Sequence, residues 1–392
     1  MNALSRIFPR RGRRTKRRAA ILLVGAMFTV SGCLLCGLTV DVGNIYVSKA
    51  ELQRCSDAAA LASVAMMLDP HDLNGQPNPA LVAYGARTAA CEYVTQNPVR
   101  SVTMTLPRND GNAESGDLVL GRYNSTTGDF NPHSTKYNSA YVFTRRDSVQ
   151  NGPIPLYFGG VIGMSSINAH GEAAAFIETD IKGFRVASGS NVNCQMMPFS
   201  LQIDMWINRA SAGIDDYTHD PIANTVSNGG DGVYEINLYP GDVEPGNFGT
   251  IDLGSPNNKT PDLSRQIRYG LNAYDLSFFP NNTIQLGEGG ILTLNGDTGI
   301  SATIQTDLQA IRGQSRVLPL HATVRGNGNN AMFDIVAFVG VTILDADLSG
   351  AMSNKFVKIQ PSFTCDGTAV AGGADGVTSK FIFVPPRLRK TR

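Results

Sequence analysis

The stretch AAILLVGAMFTVSGCLLCGLTV, residues 19–40, contains no charged residue and sets the arrangement of the whole chain. As a helix rising 1.5 Å per residue it is about 33 Å long, enough to cross a hydrocarbon core of about 30 Å. Eight basic residues and no acidic residue precede it in residues 1–18, whereas only Lys49 and Arg54 are basic in residues 41–60. Because the more basic flank of a membrane helix stays in the cytoplasm, we expect a cytoplasmic tail at 1–18, a transmembrane helix at 19–40 and the remaining chain outside the cytoplasm.

Three other interpretations of this segment are weaker. A cleaved signal peptide has a shorter apolar region that ends at a small-residue cleavage site, but this run continues to Val40 and no such site follows. Val30-Ser31-Gly32-Cys33 resembles a lipobox with Cys33 as the lipidated residue, but the apolar residues LLCGL would then begin the mature chain. Arg17-Arg18 has the form of a twin-arginine export signal but lies in a dense basic run. A membrane anchor is the favoured interpretation, with lipidation of Cys33 as the alternative.

Composition and charge restrict the class of protein. Of the 392 residues, 42% are hydrophobic and 17% charged, which is typical of a folded chain with room for an anchor and two modules. The 33 basic and 33 acidic residues balance, but eight basic residues lie in 1–18 and four in 387–392, so the middle has 21 basic against 33 acidic residues. Nucleic-acid binding needs a positive face, and this acidic middle argues against it.

The residues after the membrane segment, DVGNIYVSKAELQRCSDAAALASVAMML at 41–68, predict a stem helix. Leu52, Ala59, Ala62 and Met66 recur at near-helical spacing, and the many Ala and Ser residues allow close approach of a neighbouring backbone. Asp69-Pro70 ends the helix. The helix is either a packed stem or an assembly helix shared between subunits.

The order of these elements resembles the N-terminal module of TadE/TadG-like (Flp, or tight-adherence) pilus-assembly proteins over residues 18–68. The resemblance rests on a basic tail, an apolar span, an Asp-x-Gly-x-x-Tyr element and a Leu-Gln-x-x-x-Asp-Ala-Ala-Ala-Leu-Ala element, with motif residues Asp41, Gly43, Tyr46, Leu52, Asp57, Ala58, Ala59 and Leu61. Looser similarity to TadG-type proteins continues at 118–122, 137–142, 154–175 and 243–254. The resemblance implies a bacterial inner-membrane protein that faces the periplasm, works with other Tad, Flp or secretion proteins, and associates with itself or with them through the stem helix. A prepilin leader needs a Gly before its cleavage site and a Glu five residues into the mature chain. Gly25 has Val30 at that position, so we expect no prepilin processing.

The sequence predicts an α+β fold. A pilin-like α+β module covers 41–181, with helices at 79–93 and 155–163 and strands at 102–106, 117–122, 140–145 and 167–178. A linker at 182–193 leads to a mainly β domain at 194–386, and 387–392 form a basic tail. In the second domain, helices are expected at 261–271 and 300–311, and strands at 199–207, 232–238, 284–294, 317–324, 332–344, 356–363 and 381–384.

No stretch carries a convincing catalytic or metal site. Asp297-Thr298-Gly299 has the form of an aspartic protease loop, but such enzymes need two of them and the sequence has one. The stretch from Asp347 resembles the metal-binding start of a von Willebrand-type adhesion domain, but Ala351 stands at the third ligand position and has no side-chain oxygen. The stretch from Asp345 resembles a calcium loop, but Phe356 stands at the twelfth position, where Glu is needed. The cluster of Asp215, Asp216, His219 and Asp220 is interpreted as an acidic loop. We therefore expect no catalytic residue, no metal, no cofactor and no enzymatic activity.

Four cysteines lie beyond the membrane segment and are disulfide candidates: Cys55, Cys91, Cys194 and Cys365. An oxidising periplasm permits disulfides, and four cysteines allow three pairings. The favoured prediction is Cys55–Cys91 and Cys194–Cys365, and the alternative is four free buried thiols.

These observations predict an anchored, extracytoplasmic structural or assembly component of a Tad (Flp-type) pilus or a related secretion or adhesion system. The alternative is an anchored adhesin or envelope binding protein that uses the C-terminal β domain.

Overall fold

The computed structural model describes residues 13–239, 248–254, 259–297, 300–326, 328–351, 354–372 and 379–389. One long N-terminal helix is followed by mainly β structure with short helices, which confirms the predicted α+β fold class. Residues 1–12 and 390–392 of the predicted basic tails, Thr298, Gly299 and residues 243–247 lie outside the described residues.

Helix α1, Arg13–Ala65, is the longest element. Residues 20–36 are exposed, with Leu22 74% and Phe28 77% accessible. Among the described residues this is one helix long and apolar enough to cross a membrane by length and composition. From Gly37 onward one face of the helix is buried. The first part of α1 therefore projects from the fold, and the second part packs within it.

The helices that follow are α2 (Pro79–Gln96), α3 (Ile203–Ile207), α4 (Arg209–Ala212), α5 (Thr260–Tyr269), α6 (Ala273–Leu276) and α7 (Gln305–Ala310). The strands as far as residue 251 are β1 (Leu118–Tyr123), β2 (Phe130–Asn131), β3 (Ser139–Arg146), β4 (Ile154–Pro155), β5 (Ser166–Ile167), β6 (Ala169–Glu178), β7 (Ile181–Arg185), β8 (Phe199–Gln202), β9 (Tyr217–Asp220), β10 (Thr225–Asn228), β11 (Ile236–Tyr239) and β12 (Phe248–Ile251). The later strands are β13 (Thr283–Gln285), β14 (Leu292–Asp297), β15 (Ser315–Arg325), β16 (Ala331–Asp347), β17 (Phe356–Pro361), β18 (Thr364–Cys365), β19 (Ala369–Ala371), β20 (Ser379–Lys380) and β21 (Ile382–Arg389).

The packed half of α1 lies on a six-stranded sheet of order β18-β21-β6-β3-β1-β2, with α2 beside it. Strands β3 and β6 form the antiparallel centre, in a register that runs from Ser139 opposite Phe176 to Arg146 opposite Ala169. The core between α1, α2 and this sheet is rich in small and aliphatic side chains, including Leu52, Ala59, Ala60, Ala86, Ala90 and Leu118. Small side chains on both helices bring the two helix backbones close together.

The helix approaches the sheet most closely at Gly171 in β6. A Cβ added at Gly171 would lie 2.6 Å from the carbonyl carbon and oxygen of Leu52. Beside this crossing, Thr144 Oγ1 lies 3.2 Å from the Leu52 carbonyl and 2.8 Å from Ser56 Oγ. The crossing thus depends on a glycine in the sheet and on hydroxyl groups that satisfy the buried helix backbone.

Most of the remaining chain is organised around a second, eight-stranded sheet. Strand β16 pairs with β14, β14 with β12, β12 with β8, β8 with β15, and β15 returns to β16, so these five strands close into a ring. Strands β17 and β11 extend the sheet from the second half of β16. Two hydrophobic clusters flank this sheet, one with Trp206 and α5 and one with Phe184 and Phe338. A smaller sheet of order β13-β7-β19 lies alongside.

The C-terminal strand returns to the first sheet. Strand β21 pairs antiparallel with β6, with Val384 opposite Glu178 and Leu388 opposite Ala175. Residues 387–389, expected in a basic tail, are therefore strand residues. Arg387 and Arg389 are exposed in the strand, so their charged groups stay in contact with solvent. The division into modules at 41–181 and 194–386 remains a prediction, and this strand links the two ranges.

Two local predictions need correction. The predicted linker at 182–193 begins within β7, where Phe184 is fully buried and packs edge-on against Phe338 with ring centroids 5.3 Å apart. Residues 102–106 alternate in burial but form no strand, because the Thr105 N–H donates to the Asn151 side chain instead of to a neighbouring strand. In both places side-chain partners distant in sequence decide the conformation.

The described cysteines are free thiols in the structure, so neither predicted disulfide is shown, and both pairings stay predictions. Cys55 Sγ lies 3.8 Å from the Val94 carbonyl oxygen, and Cys91 Sγ lies 3.4 Å from the Leu106 carbonyl oxygen. The thiols of the first predicted pair thus donate to two different carbonyl groups. The sequence prediction rested on four available cysteines, and that number does not show which way each thiol points.

We predict that replacing Gly171 by Ala loosens the crossing of α1 and β6. The added methyl group meets a backbone carbonyl that cannot move independently, and such overpacking destabilises by about 1–3 kcal/mol. Thermal unfolding of the full chain in detergent micelles measures the change. Gly111→Ala is the control, because a Cβ there has no atom within 4 Å. Equal melting temperatures for the two variants would contradict the close crossing.

A second prediction concerns Cys194 and Cys365, of which the first is buried and the second exposed. Burial raises the pKa of the Cys194 thiol well above its ordinary value, and partial burial together with the Asp366 carboxylate raises the pKa of Cys365 above its ordinary value. The thiolate is the reactive species. A membrane-impermeant maleimide should therefore label Cys365 without reductant, at a rate that increases as the pH rises toward 9.0, and should label Cys194 only after unfolding. Peptide mass spectrometry with and without reductant measures this, and labelling of Cys365 that needs reductant would show that the disulfide exists.

Candidate functional site

Four small or polar residues of α1 form a buried stripe directly after the apolar segment. Gly37, Asp41, Asn44 and Ser48 follow one another at three- or four-residue spacing, which places them on one face of the helix, and all four are buried. The stripe faces the β-hairpin made by β4 and β5, residues 154–167, which we call the membrane-proximal hairpin. Buried polar groups in a helix need hydrogen-bond partners, and this hairpin supplies several of them.

The membrane-proximal hairpin has a compact tip. Its strands pair Ile154 with Ile167 and Pro155 with Ser166. The tip contains a 3₁₀ helix at Gly159–Ile162, which was predicted as part of a longer helix at 155–163. A Cβ added at Gly159 would lie 2.3 Å from the Met164 carbonyl oxygen, so only glycine fits at this point of the turn.

Asp41 joins α1 to the hairpin tip. Its Oδ1 accepts the N–H of Tyr157 over 2.7 Å and its Oδ2 accepts the N–H of Phe158 over 2.9 Å. The side chain is buried, with the residue only 3% exposed. Hydrogen bonds to a charged acceptor each contribute about 1.5–3 kcal/mol. One turn further along, Asn44 Nδ2 donates to the Pro155 carbonyl over 3.1 Å. Asp41 and Asn44 therefore bind both N–H groups and a carbonyl group of the hairpin backbone.

One turn before Asp41 in α1, the Phe158 ring packs on Gly37. A Cβ added at Gly37 would lie 2.6 Å from Phe158 Cγ and Cδ1. Gly37 belongs to the predicted span at 19–40, three residues before its end. The contact thus places an aromatic side chain of the hairpin against the apolar part of the helix.

The family-motif residues divide into an inward and an outward set. Asp41, Leu52 and Ala59 are buried, whereas Gly43 is exposed and Tyr46 is 71% accessible. The motif is therefore one helix with a packing face and a free face.

Asp57, Ala58 and Leu61 lie at the edge of the packed face, where they are half-buried. Asp57 accepts the amide of Gln53 over 2.8 Å, and the same amide donates to the Glu172 carbonyl over 2.7 Å. This part of the motif helps to hold the stem on β6.

The sequence marks residues 154–175 only by their looser similarity to TadG-type proteins and does not identify the hairpin as the partner of Asp41. Their signal was present, because residues 148–169 form a second charge-free run of 22 residues. The run is interrupted by Gly and Pro and has no helical period, so it does not predict a membrane span.

The acidic and histidine cluster considered as a metal site does not converge. Asp215 accepts two backbone N–H groups, and Asp220 accepts two more in the turn between β9 and β10. Asp216 pairs with Lys358 at 2.8 Å, and His219 Nε2 lies 3.0 Å from a backbone carbonyl. In the described part of the chain, no group of three His, Cys, Asp or Glu side chains is arranged to hold a metal ion.

The two remaining aspartate motifs lie at strand ends. Asp347 ends β16, and its Oδ1 accepts both the N–H and the hydroxyl of Ser349, at 2.9 and 2.6 Å. These hydrogen bonds lower the pKa of Asp347, as expected for a carboxylate that closes a turn. Asp297 ends β14.

We predict that Asp41→Ala frees the hairpin tip and leaves α1 helical, because Ala is a strong helix former. The substitution removes both charge-assisted hydrogen bonds, and the loss of even one, worth about 1.5–3 kcal/mol, should increase opening at Tyr157 and Phe158 by at least about tenfold. Hydrogen–deuterium exchange of the full chain in micelles, resolved to peptides covering 154–167, measures this. Asp57→Ala is the matched control, since it removes a carboxylate of the same helix that does not contact the hairpin. Unchanged exchange in Asp41→Ala would contradict the role of Asp41.

Comparison with known proteins places the stem in a family. Residues 18–66 match the model of the family described as Putative Flp pilus-assembly TadE/G-like. The match spans all eight motif residues and ends within one residue of the end of α1. No curated protein and no solved structure matched the chain. The family match confirms the resemblance predicted for residues 18–68: the N-terminal segment is TadE/G-like, and this indicates a role related to the Tad pilus.

Proposed function

We propose that the protein is a single-pass, non-enzymatic structural or assembly component of a Tad (Flp-type) pilus or a related secretion or adhesion system. The observation that carries this proposal is the change of character along α1. The same helix that matches the TadE/G-like family is exposed and apolar over residues 20–36 and packed on its own module from residue 37. A helix of this kind connects a membrane to a folded ectodomain.

The proposed orientation follows from charge. The eight basic residues in 1–18 precede the apolar segment and favour a cytoplasmic N-terminus. The bulk of the chain is then periplasmic and anchored in the bacterial inner membrane. Its acidic middle suits a soluble ectodomain and offers no general attraction to anionic lipid.

The free face of the stem is the proposed contact surface for partners. It consists of Val42, Gly43, Tyr46 and Val47, of which Tyr46 is 71% and Val42 49% exposed. These residues point away from the stripe bound to the hairpin. A Cβ at Gly43 would have no atom within 4 Å, so another helix can approach closely there. We propose that this face contacts a second copy or another Tad or Flp protein.

A non-enzymatic role is part of the proposal. It is supported by the use of the candidate acidic residues, since Asp215, Asp220 and Asp347 accept hydrogen bonds that close local turns. Side chains committed to backbone in this way are poorly placed to act on a substrate.

Photocrosslinking in the organism that carries the chain tests the contact surface. A photoreactive phenylalanine analogue at Tyr46 should give adducts with a second copy or with a Tad or Flp protein, identified by mass spectrometry. The same analogue at Ile222, which is 93% exposed in the turn between β9 and β10, is the control and should give none of these adducts. Labelling of Cys365 on spheroplasts by the impermeant maleimide tests the periplasmic location independently.

Two outcomes would count against the proposal. Cells that lack the protein but assemble normal pili, together with the absence of Tyr46 adducts, would refute an assembly role. Normal pili combined with a loss of surface attachment would instead favour the anchored adhesin that uses the C-terminal β domain.

A further inference from the structure

The tip of the membrane-proximal hairpin exposes an unusual number of large apolar side chains. Tyr157 is 66% exposed, Phe158 43%, Val161 61%, Ile162 58% and Met164 44%. Contiguous exposed apolar residues on a folded protein mark an interaction surface. Burying one such side chain contributes about 1.5–3 kcal/mol, so the tip has much to gain from an apolar environment.

The chemistry of the tip is compatible with lipid. The surrounding residues 148–169 include no charged side chain, and a charge is what most strongly opposes entry into a bilayer. Backbone groups must also be satisfied in a bilayer. Six N–H groups of the tip already donate hydrogen bonds, and two of them do so to Asp41: Leu156, Tyr157, Phe158, Val161, Gly163 and Met164.

The position of the tip favours lipid over a protein partner. The ring of Phe158 rests on Gly37, which at 1.5 Å per residue lies about 4–5 Å inside the end of the predicted span. The tip is therefore beside the membrane-facing part of α1 and continuous with its apolar surface. Tyr157, like Tyr46 on the opposite face of the stem, has the exposed aromatic ring typical of residues at a membrane–water interface.

We infer that the membrane-proximal hairpin inserts its tip, residues 156–164, into the lipid leaflet on the side of the ectodomain. The inference rests on the membrane anchorage included in the proposed function. The ectodomain then contacts the bilayer at two points, the span and the tip, and Asp41 joins them. Two contacts limit the tilt of the stem relative to the membrane normal, and Val42 and Tyr46 lie on the face of the stem that points away from the hairpin.

Tryptophan fluorescence in brominated lipid tests the insertion. The chain has one native Trp, Trp206, which is 4% exposed in the C-terminal core, so the parent protein provides the baseline. The full chain with Ile162→Trp is reconstituted into phosphatidylcholine vesicles brominated either near the headgroup end or near the methyl end of the acyl chains. Phe28→Trp, near the middle of the span, is the positive control, and the exposed Ile222→Trp is the negative control.

We expect the added emission of Ile162→Trp to be quenched most by bromine near the headgroups, that of Phe28→Trp most by bromine near the chain ends, and that of Ile222→Trp by neither. Quenching of Phe28→Trp without quenching of Ile162→Trp overturns the inference and leaves the anchor intact. Emission of Ile162→Trp that is blue-shifted but unquenched also overturns it, because the tip would then be buried against a second copy. An unquenched Phe28→Trp refutes the anchorage itself. Val161→Trp repeats the measurement at a neighbouring exposed position.

Discussion

The unbroken hydrogen bonding of α1 is the constraint on which the rest of the structure depends. A helix that continues from the apolar segment into the packed core has a fixed rotation of 100° per residue, so the residues at 37, 41, 44, 48 and 52 face the same way. That face is small at Gly37, polar at Asp41, Asn44 and Ser48, and apolar at Leu52. The helix therefore sets the hairpin and the central strands in register with each other and with the end of the apolar segment.

The composition of this face changes as the environment of the helix changes. Near the apolar segment, where few packing partners are available, side-chain hydrogen bonds from Asp41 and Asn44 attach the hairpin. Deeper in the module, close packing replaces them, because Gly171 lets the backbone of β6 approach the helix at Leu52. This division gives a physical meaning to the family motif. Its inward residues hold the stem to its own module, and its outward residues leave a second face free.

The path of the chain also limits how the C-terminal part moves relative to the stem. Strand β6 leads directly into β7, and β21 returns to pair with β6 along Glu178 and Ala175. The ring formed by β8, β12, β14, β15 and β16 is therefore connected to the first sheet through both of its chain ends. Two connections to the first sheet restrict the relative movement of the two parts more than a single linker would.

The sequence by itself determined the apolar segment, the stem helix, the α+β class and the TadE/G-like resemblance, because each rests on local composition, periodicity or short motifs that need no distant partner. Most of the longer strands, such as β3, β6, β15 and β16, were predicted for the same reason. Only the tertiary structure decided what Asp41 binds, where the charge-free residues 148–169 lie, that 102–106 form no strand, and that residues 382–389 join the first sheet. Each of these depends on groups far apart in the chain, such as Asp41 and Tyr157, whose positions differ by 116. A contact of that range leaves no period or motif in a single sequence.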